Sequence, residues 1–212
     1  MQIQMIFDTV CPWCYIGKRR IEKALTMRPH VNAQIVWRPF LLNREIPAEG
    51  LDRTAYLIRK FGSEARIRRV YGSIAQAGES VDIEFAFERI TRTPNSVDSH
   101  RLIQFAFENG AGDDIVEALF FQYFIQGLDI GRKDVLADIG YSTGLDRKVI
   151  DAYLEGEENI EFVYNENTRV HRMGVNGVPA FIFNKKMLIS GAQEPQILAR
   201  MIDAALATAD AV

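Results

Sequence analysis

Cysteine is nearly missing from this sequence of 212 residues: there are two, and both lie in Cys11-Pro12-Trp13-Cys14. A scaffold stapled by several disulfides is therefore excluded. An excess of either charge is also missing, since 25 Lys and Arg face 28 Asp and Glu for a net charge of −3. A polyanion has no strong field to follow, and no nucleic-acid partner is expected. No apolar run reaches the roughly 18 residues that a bilayer span requires, so no membrane partner is expected either. Histidine is limited to His30, His100 and His171, which show no paired ligand spacing, and no metal is expected. Internal repeats and low-complexity stretches are absent. The first residues, Met1-Gln2-Ile3-Gln4-Met5-Ile6-Phe7, lack the basic stretch and small-residue cleavage site of an export signal, which predicts a cytoplasmic protein. What remains is ordinary globular composition, 48% hydrophobic and 25% charged.

Hydrophobic periodicity divides the chain into three stretches. Residues 2–8 alternate, with Ile3, Met5 and Phe7 on one side and Gln2, Gln4 and Ile6 on the other, as in a buried strand. Pro12 suits a helix's first position, and Tyr15, Ile16, Ile21, Ala24 and Leu25 follow at helical spacing as far as Pro29. A second alternating run, Val31 to Phe40, completes a β-α-β unit. From Leu41 to about Gly156 the strand signal disappears, and helical periods predict helices at 51–62, 64–77, 96–108, from Asp113 onward, 134–142 and 146–154. The final stretch reads as a polar helix over 159–173, strands at 180–183 and 187–190 around Asn184-Lys185-Lys186, and a closing helix over 194–207. The predicted organisation is α/β, with residues 1–48 and 157–212 forming one domain and 49–156 an inserted all-helical domain.

Two cysteines placed at random in such a chain fall three apart about one time in a hundred, so the spacing carries information but context must decide. Here the pair lies where a strand gives way to a helix. A helix N-terminus stabilises negative charge, and a thiol reacts as its thiolate. Cys11 falls at the N-cap, and its sulfur is expected to accept from the N–H groups of Trp13 and Cys14, which would lower its pKa. Cys14, one turn further in, would be less exposed and suited to resolving a mixed disulfide at Cys11. Two packing cysteines, or half of a zinc site, are the plainer readings of the same pair.

The strand followed by Cys11-Pro12-Trp13-Cys14, together with Gly177-Val178-Pro179-Ala180-Phe181 at a late strand, resembles the DsbA family of thioredoxin-fold proteins. Trp37-Arg38-Pro39-Phe40-Leu41-Leu42-Asn43 and Asn95-Ser96 with His100-Arg101-Leu102 resemble its FrnE-like branch, which is similar to 2-hydroxychromene-2-carboxylate isomerases and kappa-class glutathione transferases. The resemblance covers nearly the whole chain. It implies a thioredoxin fold with an inserted helical domain, catalytic Cys11 and Cys14, and supporting roles for Pro12, Trp13 and a cis Pro179. It also implies a substrate site drawn from Val178, Phe40, Asn95, His100 and Gln193, with the backbone of Val178 meeting an extended substrate.

The sequence departs from the pattern at Met5, where thioredoxin-like proteins often carry a buried acid six residues before the first cysteine. Asp8 is the nearest acid, and a strand-end aspartate is usually solvated or capping. His100 fits either a cleft or a polar helix face, and His171 fits the last turn of a helix, where an imidazolium complements the dipole. Arg66, Arg68 and Arg69 read as a solvated face, and Phe120, Phe121 and Phe124 as core. Gln193 fits a carboxylate-binding residue at a helix N-terminus and a simple capping sequence equally well.

Three functions compete. The first is a thiol–disulfide oxidoreductase. The second, implied by the wider resemblance, is a glutathione-dependent isomerase or transferase, in which a resolving Cys14 has no task. The third is a non-catalytic binding module, in which the cysteines hold a metal or the helical domain docks a partner. No tightly bound cofactor is expected, glutathione enters as a co-substrate if at all, and a homodimer is compatible with the resemblance. The absent export signal and uncharged Trp13 predict a moderately reducing pair acting on a protein or small-molecule thiol or disulfide.

Overall fold

The computed structural model describes residues 1–208; the last four residues of the expected 157–212 segment lie outside the described residues. The chain opens with strand β1 (Gln2–Phe7), helix α1 (Pro12–Thr26) and strand β2 (Gln34–Pro39). Next come a two-residue strand β3 (Leu51–Asp52), α2 (Arg53–Phe61), α3 (Glu64–Glu79), a 3-10 turn at Phe87–Arg89 and a two-residue strand β4 (Arg92–Thr93). Helices α4 (Val97–Glu108), α5 (Gly112–Phe124), α6 (Lys133–Ser142), α7 (Arg147–Glu155) and α8 (Ile160–Arg172) follow, then β5 (Ala180–Phe183), β6 (Met187–Ser190) and α9 (Pro195–Ala207).

Packing divides the chain into two compact units, one of Met1–Leu42 with the residues from Glu166 onward, the other of Asn43–Asn165. These junctions differ from 48/49 and 156/157 for a local reason. The Asn95 amide donates to Ile46 O at 2.6 Å, and the Arg44 guanidinium lies 5.5 Å from the Tyr164 ring centre. Both contacts assign flanking residues to the helical unit.

In the first unit the strand order is β2-β1-β5-β6. β1 runs parallel to β2 across the α1 crossover, and β5 and β6 are antiparallel additions, the thioredoxin-fold layout that the resemblance implies. The alternation read in β1 matches its packing. Met5 stands opposite Trp37 and Phe181, and the Phe7 ring meets Trp37 edge-on at 5.0 Å. Ile6, on the other face, joins Ala180 and Ile182 under Val170 of α8, with Phe40, Val175 and Val178. Asn184 and Lys185 take positive φ of 47° and 61°, and Lys186 N–H donates to Phe183 O at 3.0 Å. This tight turn has the mirror-image geometry that matches strand twist.

In the helical unit, sequence caps set the helix ends. The Asp52 carboxylate accepts from Ala55 N–H at 2.8 Å, Gly62 ends α2 with φ 85°, and Asp146 accepts from Val149 N–H at 3.0 Å. Arg101 of α4 is 1% exposed. Its guanidinium donates to the carbonyls of Tyr153, Gly156 and Glu158 and pairs with Asp98 at 2.7 Å, closing the C-terminus of α7. Two expectations for this unit need correction. Leu51 and Asp52 pair with Thr93 and Arg92 in a short antiparallel ladder, too brief to leave a period-two signal. Phe120 and Phe124 are core, but Phe121 is 41% exposed because it lies on the outer face of α5.

Candidate active site

The site is built at the turn between β1 and α1. Asp8 ends β1, and its main-chain carbonyl accepts from Cys11 N–H at 3.0 Å. Its carboxylate accepts from Val10 N–H at 3.3 Å and from Leu42 N–H at 2.8 Å. Asp8 thereby ties the cysteine turn to the segment after β2. It is 1% exposed, so the expectation of a solvated residue fails while that of a turn-capping one holds.

Cys11 occupies the N-cap of α1 with extended φ and ψ of −97° and 111°, and Pro12 takes N1. The expected sulfur cap is not formed. Cys14 N–H is bonded instead to the Cys11 carbonyl at 3.0 Å, and the Cys11 thiol points to Val178 O, with Sγ and O 3.7 Å apart. A protonated sulfur is a donor, which explains why it turns to a carbonyl. Cys11 is 4% exposed and Cys14 fully buried, and both are free. The Cys14 pKa is pushed well above its ordinary value, first by burial in apolar surroundings, then by the hydrogen bond and charge interaction with Cys11; the Asp8 main chain opposes this and the Asp8 carboxylate adds to it.

Trp13 stands out at 36% exposure between the two sulfurs, and Pro12 is half-buried beside it. The Val178-Pro179 bond is cis. Pro179 is buried, and its ring touches α1 at Gly17, where a Cβ atom would come within 2.9 Å of Pro179 Cγ. A glycine inside a helix, three positions after Cys14, was the available sign of this contact, and the sequence reading passed over it.

The remaining candidates separate. Phe40 is buried in the cluster with Val178 packed against it, and its ring meets His171 in a tilted contact with centroids 4.7 Å apart. It supports the segment carrying Val178 from below, whereas the expectation had it face a substrate. Gln193 folds back on its own turn, donating to Ser190 O at 2.7 Å, which is local capping geometry. Asn95 and His100 belong to the helical unit. Asn95 bridges Ile46 O and Val97 N–H, and its amide is occupied by the loop it shapes. His100 is 1% exposed, so the polar-face reading fails; Leu102, Ile103 and Ala106 of the same helix are buried with it. Arg66, Arg68 and Arg69 are exposed. Among the described residues no cluster of His, Cys, Asp or Glu could hold a metal ion.

Comparison with known proteins matches residues 2–203 to the family described as the DSBA-like thioredoxin domain. The crystal structure of the probable DsbA oxidoreductase SCO1869 from Streptomyces coelicolor superposes with a TM-score of 0.89 at 24% identity, covering 98% of this chain and 90% of that one. A 2-hydroxychromene-2-carboxylate isomerase superposes at 0.73 with 15% identity over the whole of both chains. The cytosolic disulfide reductase DsbM from Pseudomonas aeruginosa, crystallised with GSH, superposes at 0.62 with 14% identity, covering 97% of this chain and 99% of that one.

Proposed function

Because the chain belongs to the DSBA-like thioredoxin domain family, we propose that it is a thiol–disulfide oxidoreductase whose working pair is Cys11 and Cys14. The observation that carries this reading is the unequal environment of the two sulfurs. Cys11 occupies the N-cap position of α1 with its thiol turned to the Val178 carbonyl beside the exposed Trp13, while Cys14 is fully buried and burial pushes its pKa up.

In the reducing direction the Cys11 thiolate attacks one sulfur of a substrate disulfide, forming an S–S bond to it and expelling the other sulfur as a thiolate. Cys14 then loses its proton and attacks Cys11 Sγ. The second substrate sulfur leaves, the Cys11–Cys14 disulfide forms, and two electrons have passed to the substrate. The backbone of Val178 offers an edge to an extended substrate segment, and Trp13 adds an apolar, stackable face. The oxidising direction is the same path reversed.

A reducing compartment and a reducing or isomerising role suit the pair, because Trp13 brings no charge to favour thiolate over disulfide. Glutathione is the proposed co-substrate that returns the disulfide to the dithiol. No helix among the described residues is long and apolar enough to cross a membrane.

The test is exchange with a small disulfide and with glutathione, using Cys11→Ser and Cys14→Ser. Cys11→Ser should abolish exchange, and Cys14→Ser should accumulate mixed disulfides at Cys11, visible by mass. Full glutathione-dependent turnover by Cys14→Ser would instead install the isomerase or transferase reading.

A further inference from the structure

We infer that Gly17 is a positioning residue: by lacking a side chain it lets α1 lie against the Pro179 ring, and that approach holds the Val178 carbonyl over Cys11 Sγ. The inference rests on the oxidoreductase reading only for what the contact is used for. In a helix interior glycine is less favourable than alanine, because it orders a more flexible backbone and adds no side chain. On the helix's own account, then, Gly17→Ala should stabilise α1. The surroundings oppose this. A Cβ at position 17 would lie 2.9 Å from Pro179 Cγ, 3.2 Å from Pro179 Cβ and 3.4 Å from Phe181 Cζ.

Neither partner has an easy retreat. The Pro179 ring is closed onto its own backbone, its carbonyl accepts from Gly191 N–H at 2.7 Å, and the next residues are locked in register, Ala180 with Ile6 and Ser190, Phe181 with Met5 and Ile189. On the other side, Arg20 fastens α1 to the turn before α9 through Ala192 O at 2.5 Å and Glu194 at 2.7 Å, and Arg28 pairs with Asp203 at 2.6 Å. The less constrained piece is the stretch before Pro179, which is in neither helix nor strand at residues 175–178. An added methyl group therefore displaces the Val178 carbonyl relative to Cys11, the pair whose 3.7 Å contact defines the mouth of the site.

The experiment measures three things on reduced protein: the pH profile of iodoacetamide alkylation at Cys11, the rate of exchange with 2-hydroxyethyl disulfide, and the thermal midpoint. Gly17→Ala should keep its circular dichroism, alter the alkylation profile, and slow exchange by about tenfold or more, as misplacement by about 1 Å at a reacting centre can. Gly72→Ala is the control, since a Cβ there meets nothing within 4 Å, and it should leave all three readouts unchanged or raise the midpoint. Pro179→Ala removes the 2.9 Å contact, so adding Gly17→Ala to it should cost less than twofold further. That non-additivity is the signature of a contact between the two. An unchanged alkylation profile and exchange rate in Gly17→Ala, or an equal penalty with and without Pro179→Ala, overturns the inference. If Gly17→Ala alone fails to fold, the double variant should fold with Pro179→Ala-like properties, and its failure to fold overturns the inference as well. Loss of exchange in the native protein would count against the oxidoreductase reading, while the alkylation and melting arms would still decide the role of Gly17.

Discussion

Burial of Cys14 should make the resolving step, rather than the first attack, the one governed by pH. The perturbation is pH itself, applied to a mixed disulfide preformed between Cys11 and a chromogenic thiol. Burial pushes the Cys14 thiol well above its ordinary pKa, so near neutral pH the thiolate that attacks is scarce. In the mixed disulfide the contributions of the Cys11 thiol are gone, but burial, the largest cause, persists. Release of the chromogenic thiol should then rise about tenfold per pH unit from pH 6 to pH 9 without levelling off. Stopped-flow absorbance on the native protein reads this directly, and Cys14→Ser should show no intramolecular release. A rate that plateaus below about pH 8, or one independent of pH, would refute the argument, because a dedicated base or an ordinary thiol pKa would then be supplying the nucleophile.

The same shift has a consequence for stability. A pKa raised on folding contributes stability that is complete below the unfolded thiol's value, near pH 8.5, and is lost as pH rises above it. The reduced protein should weaken by up to about 1.4 kcal/mol per pH unit in that alkaline window; urea denaturation should show this slope in the native chain and lose it in Cys14→Ala. Equilibration with glutathione followed by thiol trapping should place the redox potential nearer about −270 mV than about −120 mV, and a value at the oxidising end would contradict the account of Trp13. Arg101→Met, which strips the carbonyls of Tyr153, Gly156 and Glu158 of their donor and leaves Asp98 unpaired, should destabilise by about 3 kcal/mol or more. A loss below about 1 kcal/mol in denaturant melts would show that water replaces the guanidinium.

The chemistry of this chain was legible where it is local. Period two in Ile3, Met5 and Phe7, helical spacing after Pro12, and Gly177-Val178-Pro179 before an apolar run each reflect a rule that acts over a few neighbours. The β3–β4 ladder joins positions about forty residues apart with two residues on each side, and nothing in either segment announces the other. The burial of His100 and Asp8 is not written locally for a related reason: burial of a polar side chain is decided by what packs over it, and Leu42 and the interior of the helical unit are supplied by distant sequence. Cys11 was read as an acceptor of helix N–H groups, yet the carbonyl that claims its thiol is 167 residues away.

Trp13 gives this site an optical reporter. Of the chain's two tryptophans, Trp37 is buried in the sheet against Phe7, whereas Trp13 is partly exposed in the first turn of α1, between the two cysteines in sequence. Quenching by a Cys11–Cys14 disulfide should fall on Trp13, which lies between the two cysteines in sequence, so emission intensity should follow oxidation of the proposed pair. With no third cysteine in the chain, thiol–disulfide exchange contributes to that signal through this one couple, and the redox titration can be performed on unlabelled native protein.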